Sequence, residues 1–319
     1  TEGFVNVQLE QIDIVHRMIA ANSDTLQLAL TADDIMEAFK AGRIASLIGL
    51  EGGHVLANSL GVLRCYYRLG ARYLTLTHNM TLDWVDSAMD EPRNGGLSTF
   101  GKEVIREMNR LGMMVDLAHV SEEVMNDVLD VTEAPIIFSH SSAKALTDHP
   151  RNVPDDVMRR VAENRGIVMV TFIPGFVSKA VTEWEKPLRE ILKSAGSSEE
   201  YTRLRKEYAA THPESMATLN DVADHIEHTR KVAGIEHVGI GSDFWGSGNM
   251  PEGLEDVSRF PYLFAELIRR GWTDQELELL AGGNLLRVMR EVETVATRLQ
   301  ADRPPSIALI ENVDGVPVL

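Results

Sequence analysis

The chain has 319 residues, with 31 Lys+Arg against 48 Asp+Glu for a net charge of −17, and 44% of it is hydrophobic. That length suits one large domain or two of ordinary size, and the composition is that of a packed globular protein able to fold without disulfide or metal staples. The acidic balance excludes a nucleic-acid partner, because no basic surface is on hand to neutralise a run of phosphates.

The single cysteine, Cys65, excludes an intrachain disulfide and any cysteine-based zinc cluster. It falls in the amphipathic stretch Leu60–Gly70 and reads as a buried, inert thiol. No segment reaches the ~18 consecutive apolar residues of a membrane span. With no leader sequence visible, the expected compartment is the cytoplasm; the chain opens at Thr1 rather than Met, which leaves export open.

In chain order, Val5–Ala20 carries Leu9, Ile12, Val15 and Ile19 at helical spacing. Leu26–Leu30 alternates and reads as an edge strand, and Ala32–Ala41 reads as a short helix. From residue 44 a rhythm sets in: a short apolar run, a polar residue at its end, then a helical pattern. The runs are Ile44–Leu50, Tyr73–Thr77, Met113–Ala118, Pro135–Ser139, Gly166–Phe172 and His237–Gly241. Continuous β-rich runs of this kind suit parallel strands buried on both faces. Phe100–Leu111 and Ser121–Leu129 are helix patterns between them, the second with Ser121 as N-cap. Residues 177–217, rich in Glu, Lys, Arg and Ser, read as a charged helical insertion, a solvent-facing scaffold or a lid. Residues 303–319, opening on Arg303-Pro-Pro, read as a tail packed on the surface or on a partner subunit.

Alternating strand and helix implies an α/β fold with right-handed crossovers, and specifically a (β/α)8 TIM-like barrel. Only six strands are readable from residue 44 onward, so the first one or two barrel strands are expected to be absent from the chain. The expected organisation is one barrel over residues 1–302 followed by the tail.

Barrel chemistry gathers at the C-terminal strand ends. Those positions hold Glu51, His78, His119, His140 and Asp243. Two histidines and a glutamate form a catalytic zinc set that leaves one coordination position open, which groups Glu51, His119 and His140 as metal ligands. Strand capping by hydrogen bonds would explain any one of these histidines but not the set. His16 lies mid-helix. His225 and His228, three apart on Asp221–Val232, are expected on a solvated face. His54 is expected beside the ligands rather than among them, and His149, His212 and His237 read as loop or strand-entry residues.

Taken together, these residues resemble the membrane (renal) dipeptidase family of zinc metallopeptidases, within the amidohydrolase-like barrels. The matching stretches are Ala45-Ser-Leu-Ile-Gly-Leu-Glu-Gly-Gly-His54, Arg72-Tyr-Leu-Thr-Leu-Thr-His78, Asp116-Leu-Ala-His-Val-Ser121, Phe138-Ser-His-Ser-Ser142, Arg151-Asn-Val-Pro-Asp-Asp156 and Pro251-Glu-Gly-Leu-Glu-Asp-Val-Ser258. The resemblance runs from about residue 7 to 295. It implies hydrolysis of dipeptides with zinc, Glu51 bridging two ions and His119 and His140 binding the second. It also implies that His78 contacts the scissile carbonyl, that Arg151 binds the substrate carboxylate, that Asp243 handles protons, and that the protein is a homodimer. The family's first-strand His-x-Asp pair has no counterpart, and with the missing strands it forms one absence that points to a sequence shortened at its N-terminus. Two other readings stay open: a single-metal amidohydrolase acting on N-acyl amino acids or lactones, and a catalytically silent barrel. His/Glu sites also accept several divalent ions. Asp243 could instead cap the next turn, and Arg151 could be a surface partner for Asp155 or Asp156.

Overall fold

Helix α1 (Phe4–Ala21) opens the fold in a computed structural model that describes residues 3–317. Then follow β1 (Leu26–Leu28), α2 (Ala32–Lys40), β2 (Ile44–Ser46), β3 (Ile48–Glu51), α3 (Leu60–Arg68), β4 (Ala71–Thr75), α4 (Thr99–Leu111), β5 (Met114–Asp116), α5 (Glu122–Val131), β6 (Ile137–Phe138) and α6 (Asp155–Glu163). The chain continues through β7 (Ile167–Val170), α7 (Pro174–Val177), α8 (Lys179–Leu192), α9 (Ser198–Thr211), α10 (Leu219–Ala233), β8 (Val238–Ile240), α11 (Phe260–Arg269), α12 (Asp274–Glu278), α13 (Asn284–Asp302) and α14 (Ile310–Val313). Serine N-caps set several starts: the side chains of Ser59, Ser98 and Ser121 accept from the backbone N–H groups of Val62, Gly101 and Val124.

The chain forms two units. The first takes residues up to Ser139, Arg159–Ile167 and the chain from Gly282 on; the second takes His140–Met158 and Val168–Ala281. In the first, β1 pairs with β2, and β3, β4, β5 and β6 pair in sequence order, all parallel. In the second, β7 pairs parallel with β8. The predicted α/β, parallel-strand character holds in both. All six apolar runs contain strands, but Ile44–Leu50 is not one strand: β2 joins β1 in a separate two-stranded sheet, and β3 starts the main ladder. Apolarity is the same on both sides of the break, so the run gives no sign that the pairing partner changes.

The core of the first unit includes Leu50, Leu63, Leu74, Leu76, Trp84, Phe100 and Ile105, all fully buried. The second packs Phe172, Val222, Ile226, Val238 and Leu263 around α10 and β8. Cys65 is exposed rather than buried, because α3 turns Leu60, Leu63 and Tyr66 inward and leaves Cys65 on the other face. The tail docks on the first unit: Ile310 is fully buried, and Asp314 Oδ2 accepts from Ser98 Oγ (2.6 Å) and the Phe100 N–H (2.9 Å) at the start of α4. Among the described residues no helix is long and apolar enough to cross a membrane.

Candidate functional site

Glu51 is the last residue of β3. Beyond it the parallel pairing continues, with the Gly52 and Gly53 N–H groups donating to the Thr75 and Leu76 carbonyls at 3.0 Å each. Gly52 takes φ +105°, a left-handed value that disfavours side chains. Gly53 passes so close to β4 that a Cβ there would lie 2.6 Å from the Leu76 carbonyl oxygen and 2.5 Å from the Trp84 ring. The Gly-Gly pair therefore lets the chain turn while Glu51 stays at the strand end. His78 and His119 follow β4 and β5, each three residues past the last strand residue.

These three side chains converge. One ligand-type atom each from Glu51, His78 and His119 lie within 4.8 Å of one another. His119 Nε2 is 3.1 Å from Glu51 Oε1, and the His78 and His119 rings are 4.6 Å apart at 45°. Two donors bound about 2.0–2.1 Å from one tetrahedral zinc would stand about 3.3 Å apart, so the Glu51–His119 spacing fits a shared ion, and nitrogen plus carboxylate oxygen is a suitable donor set. His119 is buried while Glu51 and His78 are exposed, so the group has a dry floor and an open mouth. The sequence placed His78 with substrate only; the geometry also sets it within reach of the donor pair.

The loop after β4 holds both histidines from behind. Ser87 Oγ donates to the His78 carbonyl at 2.8 Å, and the Ala88 N–H donates to the His119 carbonyl at 2.8 Å. Asp86 anchors that loop by accepting from the N–H groups of Arg93, Asn94 and Gly96. Burial by itself would raise the Asp86 pKa, but these donors outweigh it and hold the carboxyl below the usual range. His119 takes φ +74°, a left-handed conformation for a residue with a Cβ. His54 rests its ring edge-on against Phe4 at 4.7 Å; burial, then the neighbouring His78, lower its pKa.

The remaining candidates lie in the second unit. His140 is buried, and the following Ser141 N–H donates to the Met169 carbonyl of β7 (3.0 Å). Arg151 is 5% exposed with its guanidinium 5.0 Å from the centre of the Phe176 ring, so it is not a surface ion-pair residue; the Asp155 carboxylate instead meets His228 Nε2 at 2.7 Å. Asn152 fixes the Arg151 loop, its amide donating to the Thr147 and Phe176 carbonyls and its oxygen accepting from the Ser142 N–H. Asp243 follows β8 at φ +55°, with its carboxylate against Gly246, where a Cβ would fall 2.1 Å from Oδ2.

The solvated reading fails for His225, while His228 on the same helix stays partly exposed. His225 is 1% exposed, its Nδ1 accepts from the Ala143 N–H at 2.9 Å, and burial lowers its pKa to about 4. His149 is also buried, accepting from the Arg151 N–H at 3.2 Å, and burial followed by the charges of Arg189, Arg151 and Lys144 lowers its pKa to about 3. The sequence held a signal for His225: it shares a helical stripe with Val222, Ile226 and Thr229. Ser87 and Asp86, by contrast, lie in a loop with no periodicity to mark them.

Known proteins give the same picture. Residues 1–303 match the family model described as membrane dipeptidase, peptidase family M19. The chain is 44% identical over 288 residues to dipeptidase tcpJ of Claviceps purpurea (strain 20.1), covering 90% of this chain and 60% of that protein. It is 44% identical over 293 residues to dipeptidase verJ of Clonostachys rogersoniana, covering 92% and 66%. It thus spans less than two thirds of either relative's length. Among solved structures, that of the probable dipeptidase PvdM from Pseudomonas aeruginosa is similar with a TM-score of 0.81 and 29% identity, over 93% of this chain and 82% of that one. The chain belongs to the membrane dipeptidase family, peptidase family M19.

Proposed function

We propose that this chain is the catalytic part of a metal-dependent dipeptidase. The observation that carries the reading is the approach of Glu51, His78 and His119 to within 4.8 Å at three strand ends or just beyond them. The family pattern adds His140 as a further ligand, a closed (β/α)8 barrel as the full fold, zinc as the ion and a homodimer as the assembly. When bound, such an ion supplies Lewis acidity and brings the pKa of a water down to about 7.

The protein's own groups account for the remaining steps. His78, exposed at the mouth, donates a hydrogen bond to the oxygen of the scissile carbonyl as negative charge develops there, a contact worth about 3–4 kcal/mol in comparable sites. Asp243 takes the proton of the attacking water and returns it to the leaving amine, first as general base and then as general acid. Arg151 pairs with the C-terminal carboxylate, where the planar fork of guanidinium is preferred to a point charge. That pairing limits substrate length, since a longer peptide carries its carboxylate out of reach.

Metal content together with a substrate panel tests this. Dipeptides should be cleaved, chelation should stop cleavage, and added zinc should restore it. Preference for N-acyl amino acids or lactones would replace the dipeptidase reading, and a chain that binds no divalent ion and cleaves nothing would overturn it.

A further inference from the structure

Asp116 is the last residue of β5, is fully buried, and has four donors on its carboxylate from three adjacent strands. Oδ2 accepts from Thr75 Oγ1 and from Ser139 Oγ, both at 2.5 Å. Oδ1 accepts from the Ser139 N–H at 2.8 Å and from the Ala118 N–H at 3.0 Å. Thr75 ends β4 three residues before His78, Ala118 immediately precedes His119, and Ser139 immediately precedes His140. One carboxylate thus ties the backbones that lead to all three histidines. The bond to Ala118, two residues on, closes an Asx-type turn, and that turn delivers His119 at φ +74°.

We infer that Asp116 is a positioning residue, which fixes the strand ends so that the ligand imidazoles of His119 and His140 are placed for metal before the ion arrives. It touches neither ion nor substrate and acts through backbone and hydroxyl groups alone. The inference rests on the metal-site reading above. An apolar residue in its place would leave four buried donors to find other partners and would free the strand ends to shift, which a metal site does not tolerate: loss of outer hydrogen bonds typically weakens binding by about 10–100-fold.

The two carboxylate oxygens have different donors, and this makes the inference testable by an isosteric swap. In Asp116→Asn, Oδ1 still accepts both N–H groups, while the new amide can donate to the Thr75 and Ser139 hydroxyls, which turn to accept. Zinc affinity is measured by chelator competition, alongside thermal melting, for wild type, Asp116→Asn, Asp116→Ala and the double variant Thr75→Val/Ser139→Ala. Asp116→Asn should bind zinc within about threefold of wild type, and Asp116→Ala about 10–100-fold more weakly. If Asp116→Ala does not fold, the double variant, which removes only the hydroxyl donors, should fold and show at least a several-fold loss. A purely structural role would lower melting temperatures and leave zinc affinity unchanged. Wild-type affinity in folded Asp116→Ala, or in the double variant if the alanine variant does not fold, would overturn the inference and leave the metal site standing. A wild-type chain that binds no zinc would overturn both.

Discussion

Nε2 of His119 stands 3.1 Å from Oε1 of Glu51 while the His119 backbone is held at φ +74°. The site therefore stores backbone strain at the residue that supplies its buried donor. A left-handed conformation costs a residue with a Cβ about 1–2 kcal/mol, and glycine escapes that cost. His119→Gly and His119→Ala should both lose metal, yet the glycine variant should be the more stable by about 1 kcal/mol in urea denaturation. Equal stability would mean that the turn is unstrained.

The Gly-Gly pair after Glu51 makes a sharper steric prediction. Gly53→Ala places a methyl 2.6 Å from the Leu76 carbonyl oxygen, and neither the β4 backbone nor the buried Trp84 can retreat cheaply. The expected loss is about 2–3 kcal/mol. Gly248→Ala, where nothing lies within 4 Å, should stay within about 0.5 kcal/mol as a control. Thermal melting of the two variants decides the matter.

Arg151 offers a kinetic test. Arg151→Ala should raise KM for dipeptides about tenfold or more, with kcat far less affected, because the clamp binds substrate and transition state alike. Arg151→Lys should recover only part of the loss, since an ammonium cannot reproduce the two-pronged contact. An unchanged KM in Arg151→Ala removes the clamp role.

Acid should weaken the second unit through His225. Burial takes its pKa from the ordinary histidine value of 6.5 in the open chain to about 4 in the fold. The unfolded state therefore binds the extra proton between these values, and stability drops as pH falls through that window. By pH 5 the loss is on the order of 2 kcal/mol. His225→Gln should flatten this part of the pH dependence in denaturant midpoints measured from pH 7.5 to 5. The same slope in variant and wild type would assign the effect elsewhere.

The docked tail gives a further stability test. Asp314 adds a carboxylate to the N-terminus of α4, where Ser98 already caps the helix, and Asp314→Ala should cost about 1 kcal/mol. A melting temperature equal to wild type would show that the tail contributes no capping.

The strand runs and the strand-end residues were legible because burial on both faces forces continuous apolar sequence, and a polar residue at its end then stands out. Glu51, His78 and His119 were found that way. The residues that hold them were not, for two reasons. Ser87 and Asp86 act from a loop whose sequence has no period. Asp116 lies inside an apolar run, between Val115 and Leu117, where a lone carboxylate does not stand out; apart from the Ala118 N–H, its donors come from the distant positions 75 and 139. For Cys65 and His225 the sequence does contain the answer. Each lies on a helix whose apolar stripe, drawn at 3.6 residues per turn, places Cys65 outside and His225 inside.

Helix α9 buries none of its 14 residues. Its attachments include Tyr208 against Trp184, with rings 5.4 Å apart and the Tyr208 hydroxyl donating to the Trp184 carbonyl at 3.3 Å, and the partly exposed Arg205–Glu214 ion pair at 2.7 Å. Its other ion pairs, such as Arg203–Glu207, stay within the helix, and exposed pairs contribute little each. This segment should open on its own at a small fraction of the global unfolding free energy, so its amides should exchange first and proteases should nick it before any other helix. For the same reason the Ser194–Ser197 turn before it is the place to insert a tag or a fluorophore without disturbing the chemistry.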